Sequence, residues 1–322
     1  MKLQKIGVLT SGGDAPGMNA AIRSVVRTAI FNNIEVVGIK RGYNGLLNSD
    51  IIPLNIRDVS DIIHRGGTSL FTARCLEFKT EEGINKVVEN LKANNIDGLV
   101  VIGGDGTFRG ARDLSKRGIK CVGIPATIDN DIGCSDYTIG FDTALNTAME
   151  MIDKLRDTAQ SHDRCTVVEV MGHHAGYIAL ETGIACGATF IIVPEIPNIN
   201  NNDIVNKIKE IQQTGKKHFI IVVGEGYGKT NELAQYISEK TSLETRVAVL
   251  GHVQRGGSPS VRDRVTATEM GNIAVKLLMN EEKSKVVVEK NGKITSMDIE
   301  TALDTPKQFN IELYNIEQQV SL

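Results

Sequence analysis

Three short stretches hold most of the residue types that can handle a phosphoryl group. Thr127-Ile128-Asp129-Asn130-Asp131 sets two carboxylates two residues apart, just after an apolar run ending at Ile124-Pro125. Such a pair can divide its labour: one carboxylate takes the proton from an attacking hydroxyl, and the other holds a divalent cation against the transferred phosphate. The other two stretches are glycine loops, Thr10-Ser11-Gly12-Gly13-Asp14-Ala15-Pro16-Gly17-Met18-Asn19 and Gly103-Gly104-Asp105-Gly106-Thr107-Phe108-Arg109-Gly110. Each follows an apolar run and leads into a helical pattern, so backbone N–H groups can approach an anion at the positive end of a helix. Each also carries an aspartate able to bind Mg2+ or a hydroxyl. Taken singly, all three stretches are also ordinary turn sequences, and neither loop matches GxGxxG or GxxxxGK[ST]. Their recurrence in one strand-and-helix context favours phosphate chemistry.

A basic set accompanies them. Arg74 follows Phe71-Thr72-Ala73, Arg164 ends Ser161-His162-Asp163-Arg164, and Arg246 begins Arg246-Val247-Ala248-Val249-Leu250. His252 and Arg255 lie within Gly251-His252-Val253-Gln254-Arg255-Gly256-Gly257-Ser258-Pro259. Forked guanidinium groups suit phosphate recognition, although any one of them alone is more often a solvated surface arginine, by roughly three to one. His64, His162 and His218 read as structural or surface histidines.

The elements that must position these residues are legible as short apolar, β-branched runs: Ile6–Leu9, Ile34–Ile39, Gly98–Ile102, Cys121–Ile124, Thr166–Met171, Thr189–Val193, Phe219–Val223 and Val247–Leu250. Unbroken runs of this length suit strands buried on both faces of a parallel sheet. Helical patterns separate them. Ala21, Ile22, Val25, Val26, Ala29 and Ile30 share one face, as do Ala144, Ala148, Ile152, Leu155 and Ala159, with Asp142 or Thr143 as the expected cap. The alternation predicts an α/β fold of two doubly wound αβα-sandwich domains with mostly parallel sheets, with ligands at the carboxyl ends of strands. Val286–Ile294 predicts a hairpin turning at Asn291-Gly292.

Composition bounds the function. A chain of 322 residues, 41% apolar and 23% charged, has room for two soluble domains, and its net charge of −3 supplies no basic block for nucleic acid or an anionic membrane. Among the 32 glycines are four adjacent pairs, at 12–13, 66–67, 103–104 and 256–257, as phosphate loops and tight turns require. The N-terminal residues lack the apolar core of a signal peptide, and no stretch nears the ~18 apolar residues of a membrane helix. The odd cysteine count (Cys75, Cys121, Cys134, Cys165, Cys186) without a CxxC pair fits reduced thiols and a cytoplasmic protein.

Together the motifs resemble the bacterial ATP-dependent 6-phosphofructokinases nearly end to end. The resemblance rests on residues 7–19, 101–106 and 127–131, on Gly140-Phe141-Asp142-Thr143-Ala144 and Val170-Met171-Gly172, and on residues 251–257. It implies phosphoryl transfer from Mg-ATP to the 1-hydroxyl of fructose 6-phosphate. Asp129 would be the base; Asp105 and Asp131 would help hold Mg2+; Gly13, Arg74 and Thr127 would stabilise the group in flight. Tyr43, Cys75, Gly104, Gly106, Thr107 and Phe108 would line the ATP site. Met171, Gly172, His173, Glu225 and His252 would meet the sugar, and Arg164, Arg246 and Arg255 its phosphate, with Arg164 and Arg246 reaching in from a neighbouring subunit of a homotetramer. The ATP domain would comprise residues 1–140 plus 254–305, and the sugar domain residues 141–253 plus 306–322.

Departures from the family pattern bear on donor, acceptor and control. Pyrophosphate users resembling this chain carry Asp where it has Gly106 and Lys where it has Ala126, and a bulky residue at 106 would occlude the α-phosphate of ATP; Ala126 replaces the glycine usual in ATP users. His173 stands where an arginine is usual, which implies weaker sugar-phosphate binding or compensation by His174. Arg23, Arg27, Arg156, Lys216 and Lys217 match the basic residues of the family's effector site. Thr189, Thr214 and Ile56 stand where it usually has a metal-binding Glu and two Arg, with Arg57 adjacent to the last, so altered allostery, above all toward Mg-ADP, is expected. A pyrophosphate-dependent enzyme and a non-catalytic sensor on the same fold are the alternatives, and the retained Asp105, Asp129, Asp131 and Arg74 argue against a sensor. A dehydrogenase is disfavoured by the missing GxGxxG.

Overall fold

The computed structural model describes residues 3–197, 199–280 and 284–321. In chain order the elements are β1 (Lys5–Thr10), α1 (Met18–Phe31), β2 (Glu35–Ile39), α2 (Gly42–Asn48), β3 (Ile51–Leu54), α3 (Glu81–Ala93), β4 (Gly98–Gly103), α4 (Asp105–Ser115) and β5 (Lys120–Pro125). There follow α5 (Phe141–Ser161), β6 (Cys165–Val170), α6 (Tyr177–Ala185), β7 (Phe190–Ile192), α7 (Asn201–Gln213), β8 (Phe219–Gly224), α8 (Thr230–Thr241) and β9 (Thr245–Val249). The chain closes with α9 (Val261–Met279), β10 (Lys285–Lys290), β11 (Lys293–Asp298), α10 (Ile299–Asp304) and α11 (Ile311–Val320). Two compact units result: residues 1–128, 132–143 and 255–307, and residues 129–131, 144–254 and 308–322.

The first unit is built on a seven-stranded sheet in the order β11-β10-β5-β4-β1-β2-β3, parallel except for its two edge strands. β1, β4 and β5 are buried along almost their whole length because helices cover both faces, which is why they read as continuous apolar runs. On one side of the sheet, Leu9, Val101 and Cys121 pack with Leu91 of α3 and with Phe108 and Leu114 of α4. The second unit has a four-stranded parallel sheet, β7-β8-β6-β9, whose core joins Val167 and Ile221 to Ile204 and Ile208 of α7 and to Leu233 and Ile237 of α8. The α/β class with mostly parallel sheets is as the alternation of runs predicts.

Three local expectations change. β9 lies at the edge of its sheet and leaves Val249 60% exposed, so that apolar run is not buried on both faces. β3 escapes pattern reading because it has four residues with Pro53 among them, which an edge strand tolerates. Asp142 and Thr143 do not cap α5: the helix begins at Phe141, and both residues lie inside its first turn. The hairpin does turn at Asn291 and Gly292, with φ 51° and 71°, the left-handed pair that a two-residue turn requires.

Candidate active site

In the first unit the adjacent strands β1, β4 and β5 end side by side, and their exits carry the two glycine loops and the start of the acidic run. Backbone bonds stitch the exits together: Ser11 N donates to Ile102 O and Ala126 N to Gly103 O, each at 3.0 Å. Thr107 Oγ1 donates to Ser11 O at 3.1 Å, which joins one loop to the other. Gly103 permits this approach, since a Cβ there would sit 2.3 Å from Ser11 O. Gly106 is different. Nothing lies within 4 Å of where its Cβ would be, and its backbone is not left-handed. Beside it, at the start of α4, the Asp105 carboxylate is exposed to solvent.

The loop bearing Arg74 is tied to the first glycine loop by Thr72 Oγ1, which donates to Gly12 O at 2.7 Å, and by Thr10 Oγ1, which donates to Phe71 O at 2.9 Å. Arg74 is exposed and Cys75 half-buried. The guanidinium carbon of Arg255 comes within 3.9 Å of where a Cβ on Gly13 would be, so that arginine borders the first loop. Tyr43, Thr107 and Phe108, expected to line the nucleotide site, turn their side chains into the core instead, at 5%, 2% and 1% exposure. Tyr43 stacks on Phe78 with ring centroids 4.1 Å apart, lies against Gly110 and donates its hydroxyl to Thr107 O at 2.6 Å. These three brace the first turn of α4, and what the turn offers an anion is its backbone N–H groups.

The approach to the acidic run is held by a residue that motif reading passed over. Asp263, fully buried in α9, accepts from Tyr137 Oη (2.5 Å), Gly140 N (2.6 Å), Thr143 N (2.9 Å) and Thr143 Oγ1 (2.5 Å). Burial pushes its carboxyl pKa up against the pull of these donors. The segment so anchored runs beside residues 125–127: Ile139 N donates to Pro125 O at 3.0 Å and Thr138 Oγ1 to Thr127 O at 2.7 Å. Thr127 and the half-buried Asp129 are therefore reached along a backbone pinned from α9.

In the second unit β6 lies between β8 and β9, and the residues expected to meet the sugar leave these three strand ends. Glu225 Oε1 accepts from Gly172 N at 3.3 Å and from His173 N at 2.7 Å, while Met171 N donates to Gln254 Oε1 at 2.9 Å. His173 and His174 are exposed, with ring centroids 4.0 Å apart, and His252 is also exposed. Arg164 and Arg246 are brought together by Glu244. Its carboxylate takes Arg164 Nε at 2.7 Å and Arg246 Nε and Nη2 at 2.8 and 2.5 Å, and these bonds hold its pKa below the usual carboxylate range. Glu244 carried no motif; its only signal is the Glu-x-Arg spacing ahead of β9. Asp131 is exposed, and its charge and that of Glu195 add to burial in raising the Tyr177 hydroxyl to about 12.

The expected effector residues fall in two groups. Arg23 and Arg27, in the first unit, line a cleft of about 500 Å3 with Arg264 and Glu269, and burial, then Arg27, lowers the Arg23 pKa. Arg156, Lys216 and Lys217 belong to the second unit. Arg156 donates to the Cys186 and Gly187 carbonyls at the end of α6; Lys216 lies over the Phe219 ring at 5.9 Å; Lys217 pairs with Asp163 at 3.7 Å.

Residues 5–278 match the Phosphofructokinase family. The chain belongs to that family. It is 55% identical over 314 residues to the ATP-dependent 6-phosphofructokinase of Clostridium botulinum strain Hall, covering 98% of each chain. It is 54% identical to the ATP-dependent 6-phosphofructokinase of Bacillus pumilus, covering 99% of this chain and 100% of that one. Among solved structures, phosphofructokinase from Saccharomyces cerevisiae superposes with a TM-score of 0.92 at 33% identity; 99% of this chain matches half of that longer one. Among the described residues no helix is long and apolar enough to cross a membrane.

Proposed function

We propose that this protein transfers the γ-phosphoryl group of ATP to the 1-hydroxyl of fructose 6-phosphate, giving fructose 1,6-bisphosphate and ADP. The observation that carries the choice of donor is Gly106. Packing does not demand a glycine there and neither does the backbone, so the bare surface beside the start of α4 leaves a nucleotide's α-phosphate unobstructed. The curated relatives' names agree with ATP.

Each residue then has a task that chemistry assigns. Backbone N–H groups of the Gly12-Gly13 loop and of the first turn of α4 receive the phosphates, and Arg74 neutralises charge on the group in flight. Asp129 takes the proton from the sugar hydroxyl as it attacks. Arg164, Arg246 and Arg255 bind the sugar's own phosphate, the first two held ready by Glu244 and offered to a neighbouring subunit of a homotetramer. Met171, Gly172, His173, Glu225 and His252 fix the sugar ring. Residues 1–143 and 255–307, less the acidic run, form the ATP-binding domain, and the remainder binds the sugar phosphate.

Mg2+ suits this donor set. No group of three or more His, Cys, Asp or Glu among the described residues could cage a metal, and a kinase's Mg2+ needs only one or two carboxylates, here Asp105 and Asp131, because the phosphates supply the rest. Held by Asp105 and Asp131, Mg2+ bound with ATP would supply charge neutralisation at the phosphates. The five free cysteines fit a cytoplasmic setting. A coupled assay with ATP and with pyrophosphate tests the donor. Asp129→Asn should lower kcat about 10²- to 10⁴-fold with ATP affinity retained; wild-type turnover in that variant would sink the mechanism.

A further inference from the structure

Met171-Gly172-His173 lies beyond the last residue of β6, where no ladder partner takes its backbone N–H groups. All three donate to side chains from the flanking strand exits: Glu225, after β8, takes Gly172 N and His173 N, and Gln254, after β9, takes Met171 N. The clamp is needed. His173 sits at φ 56° and Gly172 at φ 142°, conformations that persist only where surrounding contacts impose them.

Gln254 has no role in the mechanism above, yet it is fully buried, and it is the one buried residue of the short turn Gly251–Arg255 that also bears His252 and Arg255. Because Met171 N is a donor, the amide oxygen must face it and the amide nitrogen must point elsewhere. That nitrogen is buried without a hydrogen-bond partner. An unmatched buried donor is a net cost. Methionine would fill nearly the same volume without it, so the amide is retained for what its oxygen does.

We propose that Gln254 is a positioning residue for the sugar phosphate, joining the strap that carries Met171 and His173 to the turn that carries His252 and Arg255 so that the four move onto the sugar together; this rests on the phosphofructokinase reading.

Two substitutions separate the parts. Gln254→Met removes both acceptor and donor, and Gln254→Glu keeps an acceptor for Met171 N. In the full-length protein, hydrogen exchange of the peptide covering residues 170–174 should be about tenfold faster in Gln254→Met than in wild type and near wild type in Gln254→Glu. The KM for fructose 6-phosphate should rise roughly five- to fiftyfold in Gln254→Met, with kcat and the KM for ATP within about twofold of wild type. Unchanged strap exchange, or a parallel rise of both KM values, overturns the proposal. Should Gln254→Met fail to fold, Gln254→Glu decides: its acceptor must keep the strap protected like wild type with the sugar KM within about twofold, and a faster-exchanging strap overturns the proposal. If wild type itself turns over no fructose 6-phosphate with ATP, the functional reading fails, while exchange in the free protein still decides whether Gln254 holds the strap.

Discussion

Gly106 has no side chain although neither its neighbours nor its backbone forbid one. Gly106→Asp should therefore fold with little loss of stability and fail as an ATP enzyme, because the new carboxylate occupies the space for the α-phosphate and repels it. A rise of more than about tenfold in the KM for ATP at unchanged Tm is expected; an unchanged KM would remove the argument for the donor. The cysteines differ from one another just as sharply. Burial pushes Cys121 and Cys165 up to about 12 and Cys134 and Cys186 to about 11, so all four stay protonated and unreactive near neutral pH, whereas Cys75 is half-buried beside Arg74. A thiol reagent such as DTNB should titrate one fast thiol per chain in the native state, and ATP should slow it. Fast reaction of several thiols, or no effect of ATP, would show that the loop is arranged otherwise.

At the scale of elements, the register of the site depends on α9. Asp263 ties its first turn to the start of α5 and, through residues 137–140, to the backbone that leads into Asp129. Thr143 Oγ1 both donates to the buried Asp263 and accepts from the partly buried Ser260 N, so Thr143→Val leaves both without that partner and should cost about 1–3 kcal/mol, read as a lower midpoint of urea unfolding. Asp263→Asn should cost more, since its amide nitrogen would face one of two donor sets. No change in midpoint in either variant would contradict the anchoring role. This anchoring marks the limit of what was legible in the sequence. Strands, glycine loops and acidic run announce themselves locally, by periodicity and residue type. Asp263, Glu244 and Gln254 do not, because they act on partners 80 to 126 residues away in the chain or, for Glu244 and Arg246, through a spacing too short to distinguish. Conversely Tyr43 and Phe108 sit where the site was expected, but local sequence does not tell which way a ring points, and theirs point into the core.

On the scale of the whole molecule, the residues expected to bind an effector are divided between the two units. Two of the expected effector cations are in the first unit and three in the second, and Arg156 already spends its guanidinium on the end of α6 while Lys217 is paired with Asp163. With Thr189 and Thr214 in place of a metal ligand and a cation, activation by Mg-ADP should be weak: titrating ADP at subsaturating fructose 6-phosphate should change the rate by less than about twofold. Strong activation with loss of cooperativity would overturn this. The order of strands in the first sheet has a consequence in time. β10, which covers the open edge of β5, is made about 160 residues later, after the whole middle of the chain. At ~5–20 residues per second a ribosome exposes that apolar edge for roughly ten to thirty seconds. The nascent chain thus carries an unpaired strand through about half of its own synthesis, and a chaperone that masks edges should raise the yield of this protein more than its finished stability suggests.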